Sequence, residues 1–550
     1  MSRFVDTLLE TVRSLGDAKG ITTGEPKAPV RHTWGQVHER ALRMAGGLVA
    51  GGLRPRGAVA VLAAEPVTIA PAVQAVWLAG GSVTMLHQPT ARTDLAEWAH
   101  DTVRVLNMIG SELVLLGEPF DQLAPLLDEH GIGYLKLAEL GAGEPLASVV
   151  SVPEDAPALL QLTSGSTADP KAVRITHGNL YSNLTAMVES AGLDVERDIM
   201  VSWLPLFHDM GMVGFLTVPM TVGLELVKVT PVEFLGGPLV WADLISRHRG
   251  TITAAPNFAY ALLGRRLSGV DSSDAYDLSS LRLALNGAEP IDEKAVGSFV
   301  EQGVRFGLRP ECVFPAYGMA EVTLAVSFVP LMTGLRLDRI DASKLEAENR
   351  AVPGEGRAFA VLGKPLRGIE ARIVGDSGDV LGEREVGEIQ LRGEAVTPGY
   401  LTVDGPVDTQ DAEGWLATGD IGYLVGGEIV ICGRRKDVII LGGRNIYPTD
   451  IERAANAVEG VRAGNAVAVR IDAGSRRERF AVVVESRLAG DEAAEKALRK
   501  EVGARVFESV NARPSAVVVL APGSLPKTPS GKLRRAAAGE QVASLVSSAE

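Results

Sequence analysis

Residues 162–180 read LTSGSTADPKAVRITHGNL, with small or hydroxylated residues standing between two short apolar runs. The runs ALLQLTS (158–164) and KAVRITH (171–177) have the length and apolar content of buried strands. Between them, Thr163, Ser164, Gly165, Ser166 and Thr167 present backbone amides and hydroxyls toward one point, and Lys171 follows after a turn. Such a loop cradles a phosphate: glycine admits a close approach, amides and hydroxyls donate, and lysine neutralises charge. It is not a Walker loop, because GK[ST] is absent and the loop joins two strands instead of opening a helix. A polar surface turn is the plainer reading of the same residues.

Outward from this loop the chain alternates helical and strand-like segments. TWGQVHERALRMAGGLVAGGL (33–53) has helical spacing, AVAVLA (58–63) reads as a buried strand, APAVQAVWLAG (70–80) as a helix, and SVTML (82–86) as a strand. NLYSNLTAMVESAG (179–192) reads as a helix capped by Asn179. This alternation predicts α/β layers. From residue 370 the pattern turns β-rich: EARIV, GEIQLRG, GEIVICG and DVIILGG are separated by glycine turns. Beyond GRRKD (433–437), helix-like 449–458 and 490–511 alternate with GNAVAVRI, ERFAVVVES and SAVVVLA, the pattern of a separate compact unit.

Composition sets the outer limits. A chain of 550 residues is too long for one compact core, so at least two domains are expected. With 46% hydrophobic and 22% charged residues, disorder, collagen-like repeats and coiled coil are excluded for most of the length. The 54 basic and 68 acidic residues leave a formal charge of −14, which argues against a broad nucleic-acid surface but permits a small anionic ligand. Cys312 and Cys432 are too few for a disulfide framework or a Cys-rich zinc site and read as reduced core thiols. The longest charge-free stretch, 67–91, is punctuated by Pro71, Gln74, Gly80, Gly81 and Gln88, so no membrane span is expected. Asp6, Glu10 and Arg13 break the N-terminal apolar stretch, unlike a signal peptide, and the expectation is a soluble cytoplasmic protein.

Five further segments carry chemistry-bearing residues. SWLPLFHDMGMVGFL (202–216) embeds His208 and Asp209 in an apolar run, where two polar side chains are costly unless hydrogen-bonded. His208 reads either as the reacting end of a carboxylate pocket or as a satisfied core histidine. RLALNGAEPI (282–291) ends a strand in Asn286, Gly287 and Ala288, at the carboxyl edge where open α/β sheets bind ligands. FPAYGMAEVTLAVSF (314–328) supplies the flat ring of Tyr317 and the carboxylate of Glu321, suited to a purine and to Mg²⁺. In WLATGDIGYL (415–424), Asp420 suits the hydroxyls of a ribose, and Arg434 follows in GRRKD. LPKTPSGKLRRAA (525–537) puts Lys532 after a Pro-Ser-Gly stretch, which reads as a mobile ammonium or as a basic tail.

In this order and spacing, the six segments resemble the adenylate-forming superfamily of acyl-CoA synthetases, nonribosomal-peptide adenylation domains and luciferases, over essentially the whole chain. LPLFHDMGMVG and NGAEPI look like the fatty acyl-AMP ligase branch. Between YGMAE and VLGKPLRG lie 39 residues (322–360), similar to an insertion in those ligases that disfavours the CoA-bound domain arrangement. Part of it, RIDASKLEAENRAVPGEGRAF, reads equally well as a surface excursion.

The resemblance implies an α/β fold with a large multi-subdomain N-terminal adenylate-forming domain (1–433) and a small mobile α+β C-terminal domain (434–550). It implies that a carboxylic acid and ATP with Mg²⁺ give acyl-AMP and pyrophosphate. Thr163, Ser164, Gly165, Ser166, Thr167 and Lys171 would wrap the β- and γ-phosphates, and Glu321 would hold Mg²⁺. Asn286, Gly287 and Ala288 with Tyr317, Gly318 and Met319 would bracket adenine, and Asp420 and Arg434 would grip ribose. Lys532 would bridge the carboxylate and α-phosphate, beside His208. Lys436 falls on the hinge that would swing Gly442–Gly443 toward the cleft. Leu206–Phe215 and Ala254–Tyr260 would line the acid pocket, for a fatty acid or a bulky alicyclic or polyketide acid. The acceptor would be the phosphopantetheine of a carrier protein acting in trans, met by basic Lys532–Arg535, or alternatively CoA. A nucleotide binder that has lost activity and a kinase-type phosphotransferase are the competing readings.

Overall fold

The computed structural model describes residues 1–89, 94–163, 169–441, 444–471, 478–527 and 533–547. A nine-stranded sheet runs in the order Lys364–Pro365, Ala325–Phe328, Val313–Gly318, Leu283–Asn286, Ile252–Ala255, Ile199–Ser202, Glu225–Lys228, Gly20–Thr23 and Val30–Thr33. From Val313–Gly318 through Gly20–Thr23 the neighbours are parallel. Parallel strands need crossovers and are covered on both faces, and Ile252–Ala255 and Gly20–Thr23 are accordingly buried at every position.

An eight-stranded sheet contains Ser82–Met85, Pro157–Thr163, Lys171–Thr176 and Gly399–Thr402 side by side. Pro157–Thr163 and Lys171–Thr176 pair antiparallel with Thr163 opposite Lys171. The next helix, His177–Ser190, starts earlier than its sequence indicates: Thr176 is the cap and Asn179 the third helical residue. The two form a capping box, Thr176 Oγ1 accepting from Asn179 N (3.1 Å) and Asn179 Oδ1 from Thr176 N (3.0 Å). Asn179 keeps its amide for the carbonyls of Glu394 and Val396.

The charge-free stretch divides into the helix Pro66–Leu78, buried from Ile69 onward, and the buried strand Ser82–Met85. Among the described residues no helix is long and apolar enough to cross a membrane. An antiparallel sheet of Ile369–Val374, Gly387–Gly393, Leu416–Val425 and Glu428–Arg434 follows. Beyond it, Val461–Ile471, Arg479–Ser486 and Ala516–Leu520 form a three-stranded sheet with the helices Pro448–Asn456 and Glu492–Val510. These elements bury Ile451, Val482, Val502 and Val506 in a core separate from that of the large sheets.

The 322–360 segment is not a surface excursion. Leu337–Ile340 pairs antiparallel with Arg357–Ala360, and the helix Ala342–Glu348 lies between them. Ile340, Leu345 and Ala351 are buried with Tyr423, Cys432, Val438 and Tyr447. Glu346 accepts from Arg357 (3.1 Å) and Arg444 (2.5 Å), Arg357 also pairs with Asp450 (2.5 Å), and Asn445 donates to Asn349 (3.0 Å). The segment is thus tied to residues 444–450, on the far side of GRRKD.

Candidate active site

A cavity of about 300 Å³ opens at the carboxyl ends of the parallel strands, where open α/β sheets hold ligands. Its lining brings together Thr163, Lys171, His208, Gly287, Ala288, Tyr317, Gly318, Met319, Glu321, Arg434 and Lys436. Asn286 and Asp420 stand behind this surface. Asp420 accepts from Tyr317 Oη (2.6 Å) and pairs with Arg434 (3.0 Å). Burial pushes its carboxyl above the usual range, against the pull of Arg434 and the Tyr317 hydroxyl. Burial and the adjacent Asp420 raise the Tyr317 phenol well above its usual range, so it remains a donor. Asn286 donates to Asn257 (3.1 Å), whereas its Oδ1, like Thr163 Oγ1, has no hydrogen-bond partner among the described residues. Ser164, Gly165, Ser166, Thr167, Gly442, Gly443 and Lys532 lie outside the described residues.

The segment Leu204–Asp209 enters the cavity wall from a strand end. His208 Nδ1 stands 2.6 Å from Asp209 Oδ1, which also accepts from Met210 N (2.7 Å). Met210–Thr217 then winds as a π-helix, a wide turn common at functional sites, and places Met210, Gly214 and Phe215 on the cavity.

Three participants escape sequence reading. Tyr400 donates from Oη to Glu321 Oε1 (2.6 Å), while Lys171 Nζ lies 4.0 Å from the centre of its ring, a cation–π contact. One side chain thereby orients both Glu321 and Lys171. It arrives through the pairing of Gly399–Thr402 with Lys171–Thr176, which no local motif announces. His87 lines the cavity beside Phe207, ring centres 5.3 Å apart. Burial, then the nearby His208, lowers its imidazole to about 4, so it is neutral at pH 7. Its signal was legible: an imidazole two residues beyond a buried strand. Lys228 is fully buried and donates to the carbonyls of Leu204 and Val229, fixing the start of the segment that carries His208. Burial lowers its ammonium to about 7.

Two expectations are corrected. Ala254–Tyr260 does not line the cavity. Tyr260 is committed to Trp241 and Phe299 (ring centres 5.2 and 4.9 Å away) and donates to Leu285 O (2.8 Å). The apolar wall is built instead from Met187, Ala191, Met200, Ile252, Leu283 and Phe314, among others. Nor is Arg535 part of a free basic patch. It pairs with Asp437 (2.7 Å) and Glu452 (2.6 Å), while Arg470 donates to the carbonyl of Lys436 (2.7 Å).

The profile of AMP-binding enzymes matches residues 18–401. The chain belongs to the AMP-binding enzyme family. Among the relatives of this AMP-binding enzyme is Mycobacterium tuberculosis Rv1013, named as a ligase, 55% identical over 540 residues that cover 98% of this chain and 99% of that one. The long-chain-fatty-acid–AMP ligase FadD26 of Mycobacterium marinum is 33% identical over 453 residues, covering 74% and 76%. A solved structure from work on fatty acyl-adenylate ligases of E. coli and L. pneumophila superposes with a TM-score of 0.89 at 30% identity, covering 100% and 99%. The AMP-binding enzyme therefore has the adenylate-forming architecture, a large N-terminal adenylation domain and a small C-terminal domain, and is related to fatty acyl-AMP ligases.

Proposed function

We propose that this enzyme joins a hydrophobic carboxylic acid to AMP with release of pyrophosphate, then passes the acyl group to the phosphopantetheine thiol of a carrier protein. One observation carries the first half: a single cavity has Lys171, Glu321 and Arg434 at one end and an apolar arm at the other. The polar end fits ATP. Thr163 Oγ1 and Asn286 Oδ1 are buried and unpartnered among the described residues. A Cβ at Gly318 would fall 2.3 Å from Leu324 O, so the close approach of these two segments beside Tyr317 requires glycine. Among the described residues no group of three or more His, Cys, Asp or Glu could hold a metal ion. Mg²⁺ would accordingly be held by Glu321 together with phosphate oxygens and water, supplying charge neutralisation.

In this reading Thr163–Thr167 and Lys171 take the terminal phosphates, and Tyr317, Gly318, Met319 and Asn286–Ala288 take adenine. Asp420 and Arg434 take the ribose. Catalysis is mostly positioning and charge neutralisation, because the carboxylate nucleophile is weak. Lys532 supplies the ammonium between the carboxylate and α-phosphate, and His208 shapes the acid's reacting end. We divide the chain into domains 1–433 and 434–550 with the hinge at Lys436, a division supported by the separate core beyond it. A cytoplasmic setting fits the need for ATP and the two buried free thiols.

For the acceptor, a carrier is favoured over CoA by the likeness of the chain to fatty acyl-AMP ligases, while the Glu346–Arg357–Asp450–Arg444 cluster restrains rotation about Lys436 for either thiol. Product analysis by mass spectrometry, with MgATP, a panel of acids, and CoA or a phosphopantetheinylated carrier, tests the reading. Acyl-AMP that persists with CoA and disappears with carrier is the expected result. Prompt acyl-CoA formation would transfer the assignment to an acyl-CoA synthetase.

A further inference from the structure

The apolar arm of the cavity has a floor, and its depth can be counted along the sheet. In the register of the parallel strands, Met200, Ile252 and Leu283 are direct neighbours, one from each of three adjacent strands, and all three line the cavity. They form the lowest rung. Two residues up, Leu285 stands level with Phe314, and both line the cavity. Two further up are Gly287 and Ala316, and then the strands end at the polar mouth. Leu283 and Gly287 are four residues apart, so floor and mouth are separated by about 13 Å at the rise of a parallel strand. Met187 and Ala191, from the helix His177–Ser190 and its C-cap, also border the arm with Gly214, and Ala325 joins them from the strand that pairs with Val313–Gly318.

What lies under the floor is polar and tightly bonded. Asp198, Thr251 and Arg282 precede Met200, Ile252 and Leu283 by one or two residues. Arg282 pairs with Asp198 (Nε–Oδ1 2.8 Å, Nη2–Oδ2 2.5 Å) and donates to the carbonyls of Ala191 (3.2 Å) and Gly192 (3.0 Å). Thr251 Oγ1 adds a bond to Asp198 (2.9 Å). Asp198 is 1% exposed, so an alkyl chain pushing through would have to displace Arg282 and Thr251 and leave a buried carboxylate unsatisfied. This bonded cluster sets a chemical limit to the arm beyond the rung.

We infer that the acid is an unbranched acyl chain of medium length, about eight to twelve carbons, measured against the Met200–Ile252–Leu283 rung. This rests on the adenylation reading above. An extended chain advances about 1.25 Å per carbon, given C–C bonds near 1.5 Å, so roughly ten carbons fill the arm. The small side chains of Ala191 and Ala325 and the bare Gly214 leave room for a polymethylene chain between helix and sheet. The residues that set the length are those of the rung.

The full chain would be given MgATP and saturated linear acids from four to eighteen carbons, with pyrophosphate release measured. In parallel, calorimetry would measure the affinity of acyl-sulfamoyl adenosines of the same lengths. Both profiles should peak between eight and twelve carbons, with kcat/KM for the sixteen-carbon acid at least ten-fold below the peak. Met200→Gly and Ile252→Ala, made singly, should move the optimum up by two or more carbons. Ala191→Leu, which narrows the arm without opening the core, should move it down. A wild-type optimum at fourteen carbons or more, or profiles unmoved by all three variants, would overturn the ruler while leaving adenylation standing. No pyrophosphate release and no analogue binding at any length would overturn the adenylation reading, and the ruler with it.

Discussion

The two ends of the cavity are built in opposite ways. The polar end draws on local motifs, each contained in one continuous segment: Thr163 and Lys171 across one strand–loop–strand, Tyr317 to Glu321 in a single stretch, Asp420 opposite Arg434 in one hairpin. The apolar arm takes single residues from adjacent strands and from a helix, and they meet only when the sheet registers them. Charge chemistry needs particular groups at particular spacings, whereas an apolar wall needs only volume and shape. The first leaves a sequence pattern and the second does not.

That contrast is breakable by substitution. The largest effect is expected at Lys532: Lys532→Ala should lower adenylate formation by about 10²–10³-fold, as loss of a transition-state charge partner does. Binding of an acyl-sulfamoyl adenosine, followed by calorimetry, should change far less. Next, Asp420→Asn should weaken ATP binding by about ten-fold, since it removes a charge that holds both Arg434 and the Tyr317 hydroxyl. The chain-length profile should stay in place, and a shift in it would show that the two ends are not independent. Arg444→Met combined with Asn445→Ala removes two ties to the 337–360 segment. CoA ester yield should rise several-fold by mass spectrometry while the rate of adenylation is kept.

The smallest effect concerns stability. His177 is fully buried, its Nδ1 2.9 Å from Ser2 Oγ, and burial lowers its imidazole to about 4. Between pH 6.5 and 4 the unfolded chain takes up a proton that the folded chain refuses, so stability falls as pH drops through that window. His177→Gln should flatten this part of the acid-unfolding curve, read by urea titration at pH 7 and pH 5.

Much of the fold was legible because its strands are short apolar runs between turn residues, as in GEIQLRG and SVTML, which appear where expected. Where the reading slipped, tertiary structure had overridden a local signal. Asn179 looked like a cap, but Thr176 had the extended backbone and the better position. The polar run after Ile340 looked like a solvent loop. Its charges are instead spent on one another, Glu346 and Arg357 being buried as a pair that reaches Arg444 and Asp450. At the cavity, Lys171, Glu321 and Arg434, named from their motifs and the family resemblance, come to one lining with Asp420 behind it. Tyr400 was not legible, because its role comes from the pairing of two strands more than 200 residues apart. The apolar wall was half readable: most of the expected segment Leu206–Phe215 lines the cavity, whereas Met200, Ile252 and Leu283 carry no signal beyond being apolar.

The central claim, that this cavity joins an acid to AMP, is tested most directly by acid-dependent exchange between labelled pyrophosphate and ATP. With decanoate and Mg²⁺, label should enter ATP, and it should not do so without the acid or in Lys532→Ala. Exchange that ignores the acid, or ADP in place of AMP as the nucleotide product, would contradict the account.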